Sequence, residues 1–468
     1  MNEIRQKVEE INEAPDPLTV FSVIKDRPYS FFLDSACDSA KLGNFSFIGH
    51  SPFLVFRSKG KLITLEDDSG KKEIFRADPF ATLKGLFDRY RTARPDGCEV
   101  PFTGGAVGYF SYDLKDLIEE LPSSAEDDLG IPDCILGFYN KVIAYDNLKK
   151  RCFLASLAMA DEDTEDLKEA VLSASPPVKI PMPCSHIRLE SNFTKRAYMK
   201  AVQKAKEYIK KGDIYQVNLS QRFSTTSDVD TFALYCRLRQ VSPAPFASYL
   251  NFGDVTVLSS SPERFIMKRK DYIETRPIKG TRPRGATIEE DRLFESQLRT
   301  SVKDAAEHIM IVDLERNDLG RICEYGTVRP TESMIIEKYA NVFHLVSTVA
   351  GKLKAGIGPI ECLKATFPGG SITGAPKMRS MAIIDELEPV KRAVYTGAIG
   401  YISLDGNMDT SIVIRTFLVK DGRIYFQVGG GIVADSDPEG EYEETLHKAR
   451  GLMAALGVNA ETPVMCKV

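Results

Sequence analysis

A change of composition near residue 187 constrains the fold of this chain more than any other feature of its sequence. Acidic residues at 161–169 are followed by the proline-rich run SASPPVKIPMP at 173–183. Such a run is typical of a connector that follows a short helix. The 468 residues are therefore predicted to form an N-terminal region at 1–150, a linker at 151–187 and a larger domain at 188–458.

The N-terminal region has the pattern of a strand-rich structure. Tyr29–Leu33, Phe45–Ile48 and Phe53–Phe56 are short apolar runs separated by Gly, Asp, Ser and Pro, which predicts strands. The glycine-rich segment FTGGAVGYF at 102–110 predicts a tight turn or a close backbone approach. It is less typical of a phosphate loop, because no lysine or helical pattern follows it.

The larger domain has the pattern of strands alternating with longer helices. Thr194 precedes a helical pattern that continues to Lys211 and ends at Gly212. Further elements are predicted as helices at Arg292–Leu314 and Ser436–Leu456, and as strands at 255–278, 394–404, 411–419 and 423–428.

Composition excludes several classes of function. A net charge of −5 argues against nucleic acid as a partner, because nucleic-acid binding favours a basic face. No run reaches the roughly 18 apolar residues of a membrane helix, and the N-terminus lacks the apolar segment of a secretion signal. Nine cysteines without a C-x-x-C pair indicate free thiols in a reducing compartment. We therefore expect a cytoplasmic protein with neither a membrane nor a nucleic acid as partner.

Two pairs of acidic residues suggest a site for a hard cation. Glu441 and Glu444 share one face of the predicted C-terminal helix with Lys448, and Asp304 and Glu307 precede the apolar run at 308–312. Carboxylates from two distant segments suit Mg²⁺, which takes one or two protein oxygens and completes its shell with water and substrate. A solvated helix face, or ion pairs of Asp304 and Glu307 with Arg299 or Lys303, would give the same pattern.

Two further features predict binding of an anion. Gly429, Gly430 and Gly431 follow a predicted strand between apolar neighbours, which favours a rigid buried loop whose N–H groups reach a ligand. Arg415 lies inside the otherwise apolar run at 410–417. A buried arginine needs a partner, and a carboxylate is its natural one.

The segment ETRPIKGTRPRG at 274–285 suggests acid–base or nucleophilic chemistry. Lys279 stands between Ile278 and Gly280, where a surface lysine is poorly placed, and burial would lower its pKa towards a neutral amine. Glu263 lies 16 residues upstream, on what is predicted to be the preceding strand of a hairpin, and facing Lys279 it would serve as a general acid. A structural ion pair between the two residues is the alternative.

Together these segments resemble the chorismate-utilising enzymes, a family that includes anthranilate, aminodeoxychorismate, isochorismate and salicylate synthases. The resemblance runs from about 192 to 456, with a weaker match before residue 150. It rests on GDIYQVNLS (212–220), SPERF (261–265), PIKGTRPRG (277–285), AEHIMIVDLERNDLGR (306–321), FPGGSITGAPK (367–377) and GGGIVADSDPEGEYEET (429–445). It implies an α+β (mixed α/β) fold of two packed antiparallel β-sheets flanked by helices, with N-terminal strands in the same globule.

The resemblance also implies a role for each candidate residue, with chorismate as the substrate. Glu307 and Glu444 would bind Mg²⁺ directly, and Asp304 and Glu441 through water, so that the ion holds the ring carboxylate. Arg415 and Tyr395 would hold the enolpyruvyl carboxylate, and Gly429, Gly430, Gly431 and Lys448 would help them. His344 would lie beside the ring. Thr281 and Gly280 would line the leaving-group side. The loop at 374–377 would lie over the site.

Two positions choose among the family's reactions. Isochorismate and salicylate synthases resemble one another in having a lysine that activates water, and this chain has Gln216 at that position. A glutamine cannot take a proton, so attack by water on the ring is disfavoured. Lys279 is typical of aminodeoxychorismate synthases, whereas anthranilate synthases typically have alanine there. The expected reaction is therefore amination at C4 to 4-amino-4-deoxychorismate, for folate and 4-aminobenzoate synthesis, with Lys279 adding to the ring and Glu263 protonating the leaving hydroxyl. Anthranilate synthase component I, in tryptophan biosynthesis, is the alternative.

The resemblance implies a protein partner as well. None of the nine cysteines lies in the glycine-flanked elbow of a glutaminase nucleophile, so ammonia is expected from a separate glutamine amidotransferase subunit, in a heterodimer. The chain also ends without room for a fused aminodeoxychorismate lyase. A non-enzymatic scaffold for the amidotransferase is a further alternative, but every candidate catalytic position holds a competent residue.

Overall fold

The structure is a computed structural model of the chain. It describes residues 5–36, 42–94, 96–158, 164–175, 187–339, 342–458 and 465–466. None of the helices in these ranges is both long and apolar enough to cross a membrane. The proline-rich run that marks the predicted linker lies mostly outside the described residues.

Most strands of the N-terminal half are short and closely spaced, as the apolar runs before residue 150 predict, whereas the last of them has 11 residues. They are β1 (Arg5–Ile11), β2 (Phe31–Asp34), β3 (Phe45–Gly49), β4 (Leu54–Lys59), β5 (Leu62–Asp67), β6 (Lys72–Arg76), β7 (Gly105–Phe110), β8 (Cys134–Tyr139), β9 (Lys141–Asp146), β10 (Arg151–Ala158), β11 (Glu190–Ser191) and β12 (Gln216–Thr226).

The strands of the C-terminal half include longer ones. They are β13 (Phe246–Asn251), β14 (Val255–Ser261), β15 (Arg264–Arg269), β16 (Tyr272–Arg276), β17 (Ile278–Pro283), β18 (Arg329–Lys338), β19 (Val342–Lys352), β20 (Gly374–Ala375), β21 (Ala398–Ser403), β22 (Met408–Ile412), β23 (Thr416–Lys420), β24 (Arg423–Ile432) and β25 (Met465–Cys466).

The helices lie between these strands. They are α1 (Pro17–Ile24), α2 (Pro79–Arg89), α3 (Glu165–Ser173), α4 (Lys195–Lys211), α5 (Thr231–Val241), α6 (Ile288–Thr300), α7 (Val302–Gly320), α8 (Pro359–Thr366), α9 (Lys377–Leu387) and α10 (Pro438–Leu456).

Local capping signals set several of these boundaries. The Thr194 side chain accepts the N–H of Ala197 at the start of α4, and Gly212 ends that helix in the left-handed conformation, as predicted. The prediction of one helix over Arg292–Leu314 is wrong. Ser301 is extended, ends α6 and caps α7 through the N–H of Asp304.

The strands form two large sheets, which confirms the predicted fold class. Sheet A runs β1-β10-β9-β3-β2-β13-β14-β23-β24-β12-β11-β25, with β20 beside β12, and sheet B runs β17-β19-β16-β15-β22-β21-β7-β8-β4-β5-β6, with β18 beside β19. Among the described pairs only β11 and β25 are parallel.

Both sheets combine strands from the two sides of the predicted linker. In sheet A, β2 of the N-terminal region pairs with β13, and in sheet B, β7 pairs with β21. The glycine-rich segment at 102–110 is largely β7, and its backbone packs closely against β8, as predicted. A Cβ on Gly108 would lie 1.9 Å from the carbonyl oxygen of Ile135 on β8. The change of composition near residue 187 therefore does not separate two independent sheets.

The apolar core has a layer between the sheets and a layer outside each sheet. The inner layer contains Phe31, Phe47, Val107 and Tyr401, which come from both sheets. Outside sheet A, helices α1, α3, α5 and α10 pack on its apolar face. Outside sheet B, α2, α7 and α8 do the same. This arrangement brings α7 and α10 to the region where β17 and β24 approach each other.

Candidate active site

The predicted site residues converge where the edge of sheet B meets β24 and β12 of sheet A. Lys279 on β17 reaches across to Gly431 on β24: a Cβ built on Gly431 would lie 3.3 Å from the Lys279 Nζ. Residues far apart in the sequence, such as Lys279 and Gly431, thus line one cleft, with α7 on one side and α10 on the other.

The three glycines lie in a strand, so the prediction of a loop is wrong. Gly429, Gly430 and Gly431 pair with Ser220, Leu219 and Asn218 of β12. Their lack of side chains makes room: a Cβ on Gly430 would lie 3.1 Å from the Glu441 Oε2, and one on Gly431 would lie 3.0 Å from the Gln216 Nε2. The glycines thus allow close approach across the sheet face, and the ladder keeps them rigid.

Gln216 presents an unsatisfied amide to the same space. The residue is fully buried, and neither its Oε1 nor its Nε2 has a hydrogen-bond partner. Its backbone is fixed because the Ser380 hydroxyl donates to its carbonyl oxygen at 3.0 Å. A buried amide without a partner is costly, so the side chain is poised to bind a polar ligand.

Lys279 lies in an environment that disfavours its charge. Burial lowers the pKa of Lys279, and the Lys448 ammonium lowers it further, against the opposing effect of nearby carboxylates led by Glu307. Lys448 itself is engaged: it donates to the carbonyl oxygen of Gly429 at 2.9 Å and pairs with Glu444 at 2.7 Å.

The four predicted metal-binding carboxylates gather between α7 and α10. Burial raises the pKa of Glu307, and the charges of Asp304 and Glu444 raise it further. The Glu441 Oε1 accepts the Ser436 hydroxyl at 2.5 Å, whereas its Oε2 is buried without a partner. Asp304 is held by Arg282 at 2.7 Å.

This donor set fits a magnesium ion. It consists of oxygen donors that repel one another, and one of them, the Glu441 Oε2, lacks a partner. Within the described ranges, no three acidic, histidine or cysteine side chains are placed to hold a metal by themselves. Mg²⁺ usually takes only one or two protein carboxylates, with water and substrate oxygens as the rest of its shell.

Arg415 and His344 form a second, cationic part of the cleft. Arg415 was predicted within a strand, but it lies between β22 and β23 with φ of 52°. Its Nη2 contacts the His344 Nε2 at 3.5 Å, and the His344 Nδ1 meets the Thr281 hydroxyl at 2.9 Å. Burial and the Arg415 charge lower the pKa of His344 to about 3, so the imidazole is neutral. Among the described residues no ion pair joins Arg415 to a carboxylate, so its guanidinium can bind the carboxylate of a ligand.

Tyr395 and Gly280 complete the predicted contacts. Tyr395 is buried, with its hydroxyl near the Asn218 side chain. Gly280 has φ of 75°, and a Cβ there would lie 2.9 Å from the Leu298 Cδ1 and 3.3 Å from Asp304. Both constraints require glycine at 280, which keeps the turn between Lys279 and Thr281 against the start of α7.

Glu263 has the properties of a general acid. It lies between β14 and β15 and is only 5% exposed, and burial raises its pKa to about 7. Its Oε1 accepts the Ser371 hydroxyl at 2.6 Å and, more weakly, the N–H of Ile278 at 3.4 Å. A carboxyl with a pKa near 7 is partly protonated at neutral pH, so it can both hold a proton and release it.

Two residues at this site were not singled out from the sequence. Ser371 contacts Glu263, and Glu315 on α7 accepts the N–H of Gly370 at 2.9 Å. Both stand inside the motifs FPGGSITGAPK and AEHIMIVDLERNDLGR. A serine in a glycine-rich loop and a glutamate among helix charges carry no local signal of their own.

A cleft with a carboxylate cluster, an arginine without a carboxylate partner and a buried acid is suited to a small polycarboxylate, and the sequence profile of the chorismate binding enzymes matches residues 57–454. The chain belongs to this enzyme family. Component 1 of anthranilate synthase from Acetivibrio thermocellus is 39% identical over 94% of this chain and 92% of its own length. The same component from Pseudomonas putida is 39% identical over 98% of this chain and 97% of its own length.

A solved structure agrees with these relatives. The crystal structure of anthranilate synthase component I from Streptococcus pneumoniae superimposes with a TM-score of 0.78 at 33% identity, and covers 87% of this chain and 92% of its own.

These comparisons overturn the prediction of C4 amination to 4-amino-4-deoxychorismate in folate synthesis. Relatives similar over nearly the whole chain are anthranilate synthase components, whereas the prediction relied mainly on Lys279. The structure gives a physical reason for caution about that residue. Burial and the Lys448 charge lower the pKa of Lys279, but a lowered pKa does not by itself decide which ring carbon is attacked.

Proposed function

We propose that this chain is the chorismate-aminating component of an anthranilate synthase, which converts chorismate and ammonia to anthranilate and pyruvate. The observation that carries the proposal is the similarity at 39% identity, over nearly the full length, to component 1 of that enzyme. The cleft supports it, because buried polar groups of the kind needed to bind and protonate a small polycarboxylate are all present.

The proposed reaction begins with addition of ammonia at ring C2. The new C2–N bond forms as the ring double bonds shift and the C4–O bond breaks, and Glu263 gives its proton to the departing hydroxyl, which leaves as water. Loss of the C2 proton and cleavage of the C3–O bond then make the ring aromatic, and the enolpyruvate that departs takes up a proton and becomes pyruvate. A Glu263 carboxyl with a pKa of about 7 suits the first step, because a large share of it is still protonated at neutral pH, unlike an ordinary glutamate.

The remaining roles concern binding and orientation. Arg415 and Tyr395 hold the enolpyruvyl carboxylate, with the Gly429–Gly431 backbone and Lys448 beside them. His344 and Thr281, joined at 2.9 Å, lie beside the ring, with Gly280 on the leaving-group side. The unpartnered amide of Gln216 cannot take a proton from water, so it favours ammonia over water as the attacking group.

Glu307 and Glu444, with Glu441 and Asp304 next to them, would hold Mg²⁺ in this proposal. The ion, when bound, would fix the ring carboxylate of the substrate. Ammonia would come from a glutamine amidotransferase subunit, since component 1 in the relatives' names implies a second component.

The test is a product assay on the purified chain with chorismate, Mg²⁺ and an ammonium salt. Anthranilate is detected by its fluorescence, and 4-amino-4-deoxychorismate by its conversion to 4-aminobenzoate with added lyase. We expect anthranilate and pyruvate in equal amounts, without any need for the lyase. Formation of 4-aminobenzoate only when the lyase is present would overturn the proposal.

Lys279→Ala is the decisive variant in the same assay. If ammonia adds directly to the ring, the product stays anthranilate and the rate falls by less than about tenfold, since Lys279 then takes no covalent part in the reaction. If Lys279→Ala forms anthranilate and the wild type does not, Lys279 directs the wild-type reaction to another product.

A further inference from the structure

The buried face of α7 carries polar residues that serve no role in the proposed chemistry. His308, Glu315 and Asp318 are all buried on this helix. The His308 Nε2 meets the Ser347 hydroxyl at 2.6 Å, Glu315 accepts the N–H of Gly370, and Asp318 pairs with Lys377. The last two contacts lie at the two ends of the segment 370–377, so α7 anchors this segment with two carboxylates.

The contact between Glu315 and Gly370 is tightly constrained. The Glu315 Oε1 accepts the N–H of Gly370 at 2.9 Å, and a Cβ on Gly370 would lie 2.7 Å from the Leu314 Cδ2 and 2.9 Å from the same Oε1. Only glycine allows the chain to approach α7 this closely. Glu315 is 4% exposed, and a buried carboxyl is costly unless it makes such bonds. The backbone at 370 is therefore fixed.

The next residue along the chain is Ser371, whose hydroxyl donates to the Glu263 Oε1 at 2.6 Å. The N–H of Ile278 is directed at the same oxygen. With Ser371 and Ile278 donating to it, Oε1 is the acceptor oxygen of the carboxylic acid, which places the proton of Glu263 on Oε2. Ser371 therefore determines which oxygen of the acid carries the proton, provided that residue 370 holds it in place.

We propose that Glu315 is a positioning residue for the reaction: through Gly370 it holds Ser371 against Glu263, and so fixes the oxygen from which Glu263 delivers its proton. The inference rests on the proposed function, because it takes Glu263 as the acid. Neither Glu315 nor Ser371 exchanges atoms with the substrate.

The experiment is a double-mutant cycle on the ammonia-dependent activity of the full chain. Glu315→Gln keeps an oxygen acceptor for Gly370 and removes the charge, so kcat should stay within about threefold of wild type. Glu315→Ala removes the acceptor and should lower kcat by about ten- to a hundredfold, with KM for chorismate within about threefold, as should Ser371→Ala. The double variant Glu315→Ala/Ser371→Ala should lose no more than Ser371→Ala alone, because both changes break one arrangement.

Asp133→Ala is the matched control for loss of a buried carboxylate. Asp133 is also buried and accepts a glycine N–H, that of Gly60 at 2.7 Å, but it holds a turn between β4 and β5. The variant Asp133→Ala should lower the thermal midpoint as Glu315→Ala does, but its kcat should stay within about threefold of wild type. Should Glu315→Ala fail to fold, Glu315→Asp, whose carboxylate is one methylene shorter, replaces it in the cycle.

Multiplicative losses in the double variant, or equal losses in Glu315→Gln and Glu315→Ala, would overturn the inference. Either result would mean that Glu315 acts through its charge or through general stability. Failure of the proposed function would be seen in a different measurement, the identity of the product that the wild type forms, before any variant is compared.

Discussion

At the scale of single residues, opposing effects determine how Glu263 behaves. Burial raises its pKa, whereas the Ser371 hydroxyl, the N–H of Ile278 and the Lys279 charge lower it, and the net result is a pKa of about 7. The same carboxyl at the surface would be ionised at neutral pH and unable to act as an acid. The function of this residue thus depends on its neighbours more than on its type.

The pH dependence of the reaction follows from that pKa. A general acid must be protonated, and the protonated fraction of Glu263 falls as the pH rises through about 7, so kcat/KM per unit of free ammonia should be highest below this pH and decline above it. Initial rates of anthranilate formation from about pH 6 to pH 9, divided by the concentration of free ammonia, measure the decline. Glu263→Gln should be slower by about a hundredfold or more and show no such decline. A decline that persists in Glu263→Gln would assign the pKa to another group.

At the scale of secondary-structure elements, α7 and α10 act as a pair. Each helix begins at a capped turn, and each points carboxylates from its first two turns towards Gly430 and Lys279. The repulsion among these carboxylates, which contributes to the raised pKa of Glu307, works against close approach of the two helices. A divalent cation would reverse that effect.

Magnesium should therefore stabilise the protein in the absence of substrate. A ligand that binds only the folded state at 100 times its dissociation constant adds about 2.7 kcal/mol to the free energy of unfolding. We expect Mg²⁺ to raise the thermal midpoint of the wild type. The control variant Glu443→Gln should show the same rise, since Glu443 lies on the same helix as Glu444 but pairs with Lys195 and not with the proposed ion. Glu307→Gln should show little or no rise. An equal rise in all three proteins would place the ion elsewhere.

At the scale of the whole molecule, neither part of the chain has a complete sheet of its own. Strands β2, β3, β9, β10 and β1 continue sheet A beyond β13, and β7, β8, β4, β5 and β6 continue sheet B beyond β21. The layer between the sheets includes Phe31 and Tyr109 from one part and Val257 and Ile399 from the other. The site lies in the C-terminal part, but the sheets that hold it extend through both.

A fragment that starts at residue 188 should therefore not fold on its own. It would expose the edges of β13 and β21, together with the apolar residues between the sheets, and such edges favour aggregation. Circular dichroism during thermal unfolding should show no cooperative transition for the fragment, and co-expression with residues 1–187 should restore one. A cooperative, chorismate-binding fragment would show that the shared sheets are dispensable.

Local sequence signals predicted much of the fold and some of the site. The N-cap of Thr194, the stop at Gly212 and the alternation of apolar runs act within a few residues, so they can be recognised in the sequence alone. The acidic pairs of α7 and α10 were recognisable for the same reason, since residues three apart share a helix face. The two packed sheets followed from the family resemblance and are confirmed.

Other features were decided by contacts between distant segments. Gly429–Gly431 form a strand because β12 pairs with them, Arg415 has a positive φ because its chain turns between two strands, and Ser371 meets Glu263 because α7 holds residue 370. The consequence of Lys279 likewise depends on its surroundings, which is why that residue alone gave the wrong product. The sequence by itself determined most of the helices and strands, through local signals, and which residues have the chemistry to react. Tertiary structure decided which of them meet and in what protonation state, because burial and partnership are properties of non-local packing.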